Sequence, residues 1–356
     1  KELLCEIYEE KYTCYRTRRY DGSFLEFPTM NKNVVLRPHQ KDAIARIIFS
    51  KNNLLAHDVG SGKTFVMIAS GVELKRMGLS NKNLYVVPNN LVGQWEKMFS
   101  ELYPTSKVLV ILPKDFTPIK RQETLAKIKT QDYDGIIIPS SCFDSIPLSK
   151  EYYVKKYKEA EQRLNEIASK ANKNTSGIKA EKKRLEEQMK NLTKSIIDGE
   201  YKGITFDELG ITRLYVDEAH SYKNLQVNTK VTNVLGINSS GSKKCQDMLD
   251  KVRFVQRENG GVIFATGTPI TNSITDAFVM QYYLQYGELE LLDLQSFDSW
   301  VGMFAEKQTE FEIDVDTNNF RLATRFSKFH NLPELTSILS NIADFHAVDI
   351  SDGLPE

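Results

Sequence analysis

The sequence predicts an α/β fold: a doubly wound parallel sheet with an inserted antiparallel helical hairpin and a helical C-terminal extension. Three observations predict it. Six short apolar runs (Leu54–Ala56, Leu84–Val87, Val108–Leu112, Ile136–Ile138, Leu214–Val216 and Val262–Ala265) are nearly continuous rather than alternating. A strand buried on both faces looks like that, and such strands belong to parallel sheets. Helical text lies between several of them, as in Lys63–Met77 and Gln94–Leu102, and strand–helix–strand alternation builds a layered α/β domain. The chain has 356 residues, 41% apolar and 26% charged. That is enough to bury a real core, which excludes wholesale disorder.

The elements follow in order. Residues 1–35 read as a helical lead-in, with a helix over Glu2–Tyr15 and a turn at Asp21-Gly22-Ser23. Leu36-Arg37-Pro38-His39-Gln40 opens a helix through Phe49, with Pro38 in the first turn, where its missing N–H costs nothing. Sheet text occupies 36–147 and 203–280. The stretch 148–202 interrupts it. There Tyr153, Tyr157, Ala160, Leu164, Ile167 and Ala171 step by four and three, and the stepping resumes at Ile178, Leu185, Met189, Leu192 and Ile196 after a polar break. Two such seams joined by a Gly-containing turn read as a coiled-coil-like hairpin. Its net positive charge suits either an arm for DNA or a partner domain, or a solvated spacer. Residues 281–356 are helical and aromatic, with a hairpin at Phe311–Arg321 and a last helix over Pro333–Asp344.

Composition excludes several functions. The 47 Lys+Arg balance 47 Asp+Glu, so any nucleic-acid contact must come from a local patch rather than a basic tail. No apolar run approaches the roughly 18 residues of a membrane span. Cys5, Cys14, Cys142 and Cys245 form no C-x-x-C pair, which argues against a zinc site and for plain thiols in a reducing cytosol. A start at Lys1, with no signal pattern, reads as a piece of something longer.

Three motifs carry chemistry, each after a buried-strand run. Ala56-His57-Asp58-Val59-Gly60-Ser61-Gly62-Lys63-Thr64 leads from strand to helix, the setting of a phosphate-binding loop. Glycines let successive N–H groups of Val59, Gly60, Ser61 and Gly62 turn toward one phosphate, and the helix N-terminus favours negative charge there. Lys63 would reach the β- and γ-phosphates and Thr64 would ligate Mg²⁺. The strict pattern G-x-x-x-x-G-K-[S/T] is not met, because His57 stands at the first glycine. Asp217-Glu218-Ala219-His220 ends another strand, at the sheet edge where open α/β folds bind ligands. Asp217 would hold Mg²⁺ through water and Glu218 would deprotonate the attacking water. Thr266-Gly267-Thr268-Pro269 follows a third strand and supplies small hydroxyls able to pass a hydrogen bond to a neighbouring ligand. Taken singly, these read equally as a Gly-rich turn, an acidic cap and a Gly-Pro turn. Together and in this order they point to an ATP-binding RecA-like lobe.

At these residues the chain resembles the superfamily 2 helicase/translocase ATPases, and within them the Swi/Snf-like group. Leu36–Gln40 is similar to the segment bracketing adenine, His57–Thr64 to motif I, Leu84–Trp95 to motif Ia, Ile136–Phe143 to the segment with motif Ib, Asp217–His220 to motif II and Thr266–Asn272 to motif III. More narrowly, Tyr20–Ser23 and Phe329–Leu335 resemble the helicase part of mobile-element proteins that join an adenine-DNA methyltransferase to such an ATPase.

The resemblance implies roles residue by residue. Arg37 and Gln40 would contact the nucleotide base, and His220 with Thr266, Gly267 and Thr268 would couple ATP state to nucleic acid. Pro88, Asn89, Asn90, Ser140 and Ser141 would lie along strand phosphates, most naturally of double-stranded DNA in a bacterial cytoplasm. It also implies a second RecA-like lobe that supplies arginines. No Q-x-x-x-R-x-x-R text follows residue 280, and Arg321 and Arg325 are candidates by type only. The expected function is therefore the first lobe of a DNA-dependent ATPase whose site a second lobe completes. The competing reading is a non-catalytic module that docks DNA or a methyltransferase through a vestigial nucleotide site.

Overall fold

The computed structural model describes residues 18–170, 203–227, 229, 241–270, 274–313 and 320–347. The expected helix over Glu2–Tyr15, the second arm of the helical hairpin and the end of the motif III segment lie outside the described residues.

A seven-stranded parallel sheet forms the centre. Its strands are β1 (Asn52–His57), β2 (Asn83–Val87), β3 (Val108–Val110), β4 (Gly135–Pro139), β5 (Arg213–Val216), β6 (Gly261–Ala265) and a late strand, Ala343–His346. The spatial order is β3-β4-β2-β5-β6-β1 followed by that late strand. The six strands expected from apolar runs are thus all present, and the fold is the doubly wound α/β arrangement. Side chains alternate between two cores, as the pleat requires. Leu54, Leu84, Val86, Ile136, Ile138, Leu214, Val216 and Phe264 face one, and Leu55, Tyr85, Val87, Ile137, Tyr215 and Ile263 face the other. The second core is covered by α1 (Pro38–Phe49), α2 (Lys63–Arg76) and α3 (Val92–Leu102), through Ile44, Met67, Trp95 and Phe99. The first is covered by α4 (Pro118–Thr130) and later helices, with a short α5 (Ser140–Phe143) closing β4.

The first arm of the insertion is α6 (Lys150–Lys170), a helix of 21 residues. Its base is anchored on α7 (Lys243–Arg257): the Tyr152 hydroxyl donates to the Asp250 carbonyl at 3.0 Å, and Lys156 pairs with Asp250 at 2.5 Å. Among the described residues no helix is long and apolar enough to cross a membrane.

After residue 280 the expected helices appear as α8 (Thr275–Leu284), α9 (Tyr286–Leu291) and α10 (Phe297–Phe304). Their aromatic residues pack together, with Phe278 against both Phe297 and Trp300. The hairpin is longer than Phe311–Arg321. β7 (Ala305–Ile313) and β8 (Phe320–Phe329) pair antiparallel, from Ala305 opposite Phe329 to Ile313 opposite Phe320. The last helix, α11 (Leu332–Ser340), stops short of the expected Asp344. Ala343–His346 instead becomes β9, parallel to β1 with Leu54 opposite Ala343 and His57 opposite His346. The reason is the unpaired edge that β1 would otherwise present. Its backbone groups need partners, and Ile342 and β9 supply them.

Candidate nucleotide site

β1 delivers His57 to the carboxyl edge of the sheet, and the chain then curls through Asp58–Ser61 into α2. Gly60 and Gly62 have φ of +86° and +83°, the left-handed region that side chains disfavour. At Gly62 a Cβ would also lie 2.2 Å from the Gln40 amide nitrogen. That amide is built into the loop. Gln40 is buried, its Nε2 donates to the Ser61 carbonyl at 3.3 Å, and its Oε1 accepts from the Arg37 backbone at 2.9 Å. Val59 is 85% exposed at the loop tip and Thr64 is half-buried in the first turn of α2.

Lys63 is 9% exposed, and its Nζ donates to the His57 and Asp58 carbonyls at 2.8 and 2.9 Å. Burial pushes its ammonium below its ordinary value, while Glu218, Asp217 and Asp58 push back. The loop and the acidic pair stand at the same rim because β1 and β5 flank β6 in one parallel sheet.

Asp217 follows β5 and is 9% exposed. Its Oδ1 accepts from the Glu218 backbone at 3.0 Å and its Oδ2 from the Trp95 indole at 3.1 Å. Burial raises its carboxyl, against the lowering effect of the Trp95 hydrogen bond. Glu218 has φ of +50°, rare for a residue with a side chain. Its Oε2 lies 3.0 Å from His220 Nδ1, which stands 3.4 Å from the Thr266 hydroxyl. That hydroxyl accepts from the Thr268 backbone at 3.1 Å. A Cβ on Gly267 would come within 3.2 Å of Val59, so this third loop abuts the first.

The five residues assigned to nucleic acid fall at the same edge, on neighbouring strands. Pro88, Asn89 and Asn90 follow β2, and Ser140 and Ser141 follow β4. The two segments touch, for Ser141 donates through its backbone and hydroxyl to Asn89 Oδ1 at 3.3 and 3.1 Å.

Three contacts have no counterpart in the motif reading. His57 reaches Asp344 on β9, and His39 reaches the Ser61 carbonyl at 3.0 Å. Trp95 is fully buried, as expected of a core aromatic, yet also aims its N–H at Asp217. Trp95→Phe keeps most of the ring and removes that donor. A hydrogen bond to a charged group contributes about 1.5–3 kcal/mol, so a loss of that size is expected in urea unfolding. An unchanged midpoint would show that the bond contributes nothing.

Comparison with known proteins decides the family. The family model described as "Probable helicase domain" matches residues 47–347. The chain belongs to this helicase-domain family. As a helicase domain it is 22% identical over 316 residues to Defense against restriction protein B of Escherichia phage P1, across 76% of this chain and 14% of that protein. It is 32% identical over 94 residues to the SWI/SNF-related matrix-associated actin-dependent regulator of chromatin subfamily A containing DEAD/H box 1 of Xenopus tropicalis, across 25% of this chain and 9% of that one. The helicase domain thus spans a small part of the length of these relatives. Its fold is similar to the Sulfolobus solfataricus SWI2/SNF2 ATPase core in complex with dsDNA, with TM-score 0.50 and 18% identity over 91% of this chain and 47% of that one. The RecA-like reading of the fold stands on that match together with the sheet order.

Proposed function

We propose that this helicase domain is the ATP-binding first lobe of a DNA-dependent ATPase of the Swi/Snf-like, duplex-tracking kind. The single observation that supports this most is that the Gly60–Thr64 loop and the Asp217/Glu218 pair leave strands of one parallel sheet at the same rim. Lys63 would bind the β- and γ-phosphates, with the backbone of Val59–Gly62 around them. Glu218 would take the proton of the attacking water. His220, Thr266, Gly267 and Thr268 would report the nucleotide state to the edge where Pro88, Asn89, Asn90, Ser140 and Ser141 meet strand phosphates. Arg37 and Gln40 would bound the base pocket.

Among the described residues no group of three or more His, Cys, Asp or Glu could hold a metal ion. Thr64 and Asp217 offer hard oxygen donors only, and so few protein ligands suit a Mg²⁺ that arrives on nucleotide phosphates and keeps its waters. Such an ion would neutralise phosphate charge. Duplex DNA as the partner is supported by the bound duplex in the archaeal core of similar fold. A second RecA-like lobe, and a methyltransferase domain of the same polypeptide, complete the proposal. Arginines from a second lobe contribute about 10³–10⁵ in rate in related phosphoryl transfers, so this chain alone is expected to bind ATP weakly and turn it over barely.

The test is thermal unfolding with ATP–Mg²⁺. A ligand that binds only the folded state stabilises it with concentration. Wild type should rise in melting temperature and Lys63→Ala should not. No shift in either protein would favour a docking module with a vestigial site.

A further inference from the structure

His57 fills the place of a glycine in the strict phosphate-loop pattern, and the structure gives its ring a partner that a glycine could not have. The side chain is fully buried, and Nε2 lies 2.8 Å from Oδ2 of Asp344 on β9. Among the described residues Nδ1 has no hydrogen-bond partner, and Nε2, which faces the carboxylate, is the nitrogen placed to donate to it. Burial pushes the Asp344 carboxyl up, but hydrogen bonding from His57 and the nearby Arg46 guanidinium outweigh it, leaving it below its ordinary value.

A second link runs parallel to the first. The His346 ring stacks on His39 with centroids 3.9 Å apart and planes 12° from parallel. His39 in turn lies 3.0 Å from the Ser61 carbonyl. The backbone adds a third, since the Asp58 N–H donates to the His346 carbonyl at 3.0 Å. Strand β9 therefore holds the loop directly at His57–Asp58, where β1 gives way, and indirectly, through His39, at Ser61, two residues before Lys63. The same His57 carbonyl receives the Lys63 ammonium. Arg46 of α1 secures the approach to β9 by donating to the Ser340 carbonyl.

We infer that His57 and Asp344 are positioning residues of the phosphate loop, whose hydrogen bond makes the loop's nucleotide-ready shape depend on strand β9. This rests on the nucleotide-binding reading above. A loop braced in advance gives up less conformational freedom when it binds phosphate, so the brace raises affinity without touching the ligand. Displacement of the chain at residue 347, next to His346, would also be felt at the loop.

The test measures binding of a fluorescent ATP analogue with Mg²⁺ to the whole chain, beside the melting temperature without nucleotide. Asp344→Leu removes the acceptor, and His57→Gly restores the strict pattern while removing the ring. Both are expected to weaken binding about tenfold, equivalent to about 1.4 kcal/mol. His57→Gln keeps a donor at similar reach and should recover most of the affinity even if it melts as early as His57→Gly. That split separates positioning from bulk stability. Undiminished affinity in Asp344→Leu and His57→Gly, or a Gln variant no better than Gly, would overturn the inference while leaving nucleotide binding intact. A wild type that binds no analogue would overturn the functional reading, and this inference with it.

Discussion

Glu218→Gln is expected to leave ATP binding in place and to lower DNA-stimulated hydrolysis by about 10²–10⁴, the usual contribution of a general base. The substitution preserves shape and removes only the capacity to accept a proton. The position argues for that role. Glu218 sits one residue past a buried strand, with φ of +50° turning its backbone into the short helical turn Ala219–Tyr222. Its carboxylate meets His220, and His220 meets Thr266. Asp217 beside it is 9% exposed and spoken for by Trp95 and the backbone. The acidic pair thus divides into a fixed, buried member and one held by a histidine. The measurement is phosphate release from a chain extended past Glu356, with and without duplex DNA, beside the analogue-binding titration. Hydrolysis at the wild-type rate would remove Glu218 from the chemistry. Loss of binding along with hydrolysis would make it a binding residue, grouped with Lys63.

What the sequence discloses is set by how far apart the interacting groups lie along it. Ile136–Ile138 and Leu214–Val216 were readable as strands because burial on both faces is a property of three or four consecutive residues. That the Gly60–Thr64 loop and the Asp217/Glu218 pair share one rim was readable because chain direction puts every parallel strand's carboxyl end on the same side. β9 was not. Ala-Asp-Phe-His is short, mixed and continuous with helical text, and its strand state comes from an edge that lies 287 positions upstream. The His57 ring was noted only as a departure from a pattern, since its partner Asp344 sits on that hidden strand. Trp95 ends the segment similar to motif Ia, but the direction of its N–H depends on a contact across 122 residues. Apolar runs report burial, while polar pairings across the fold are legible only once the fold is known.

The largest stability effect is expected at a lysine outside all the motifs. Lys251 on α7 is fully buried, donating to the Phe143 carbonyl at 2.8 Å and to Asp247 at 2.6 Å, with its ammonium 4.2 Å from the centre of the Phe143 ring. Burial lowers its affinity for a proton, and Asp247, Asp144 and Asp250 oppose that. Lys251→Met would leave Asp247 without its cation and the end of α5 without its donor, while Asp250 keeps Lys156 and Asp144 keeps Lys244. Breaking a buried pair on one side costs about 3–5 kcal/mol, which urea unfolding near neutral pH should register. The carboxyls of Asp144 and Asp247 already stand above their ordinary values through burial, with Lys244 and then Lys251 holding Asp144 down and Lys251 holding Asp247 down. Without Lys251 they rise further. A raised carboxyl binds its proton better in the folded state, so its stabilising contribution is present in acid and lost as pH rises through the folded value. The deficit of Lys251→Met should therefore be smaller near about pH 4 than near neutrality. Adding Asp247→Leu should recover much of it, because a buried pair replaced by apolar groups is often close to neutral. Equal deficits at both pH values, with no recovery in the double variant, would mean that lost packing rather than unpaired charge governs the site. The same lysine holds the Phe143 carbonyl at the end of the turn that carries Ser140 and Ser141, so under the proposed contact of those serines with strand phosphates Lys251→Met should also weaken duplex binding even where the fold survives.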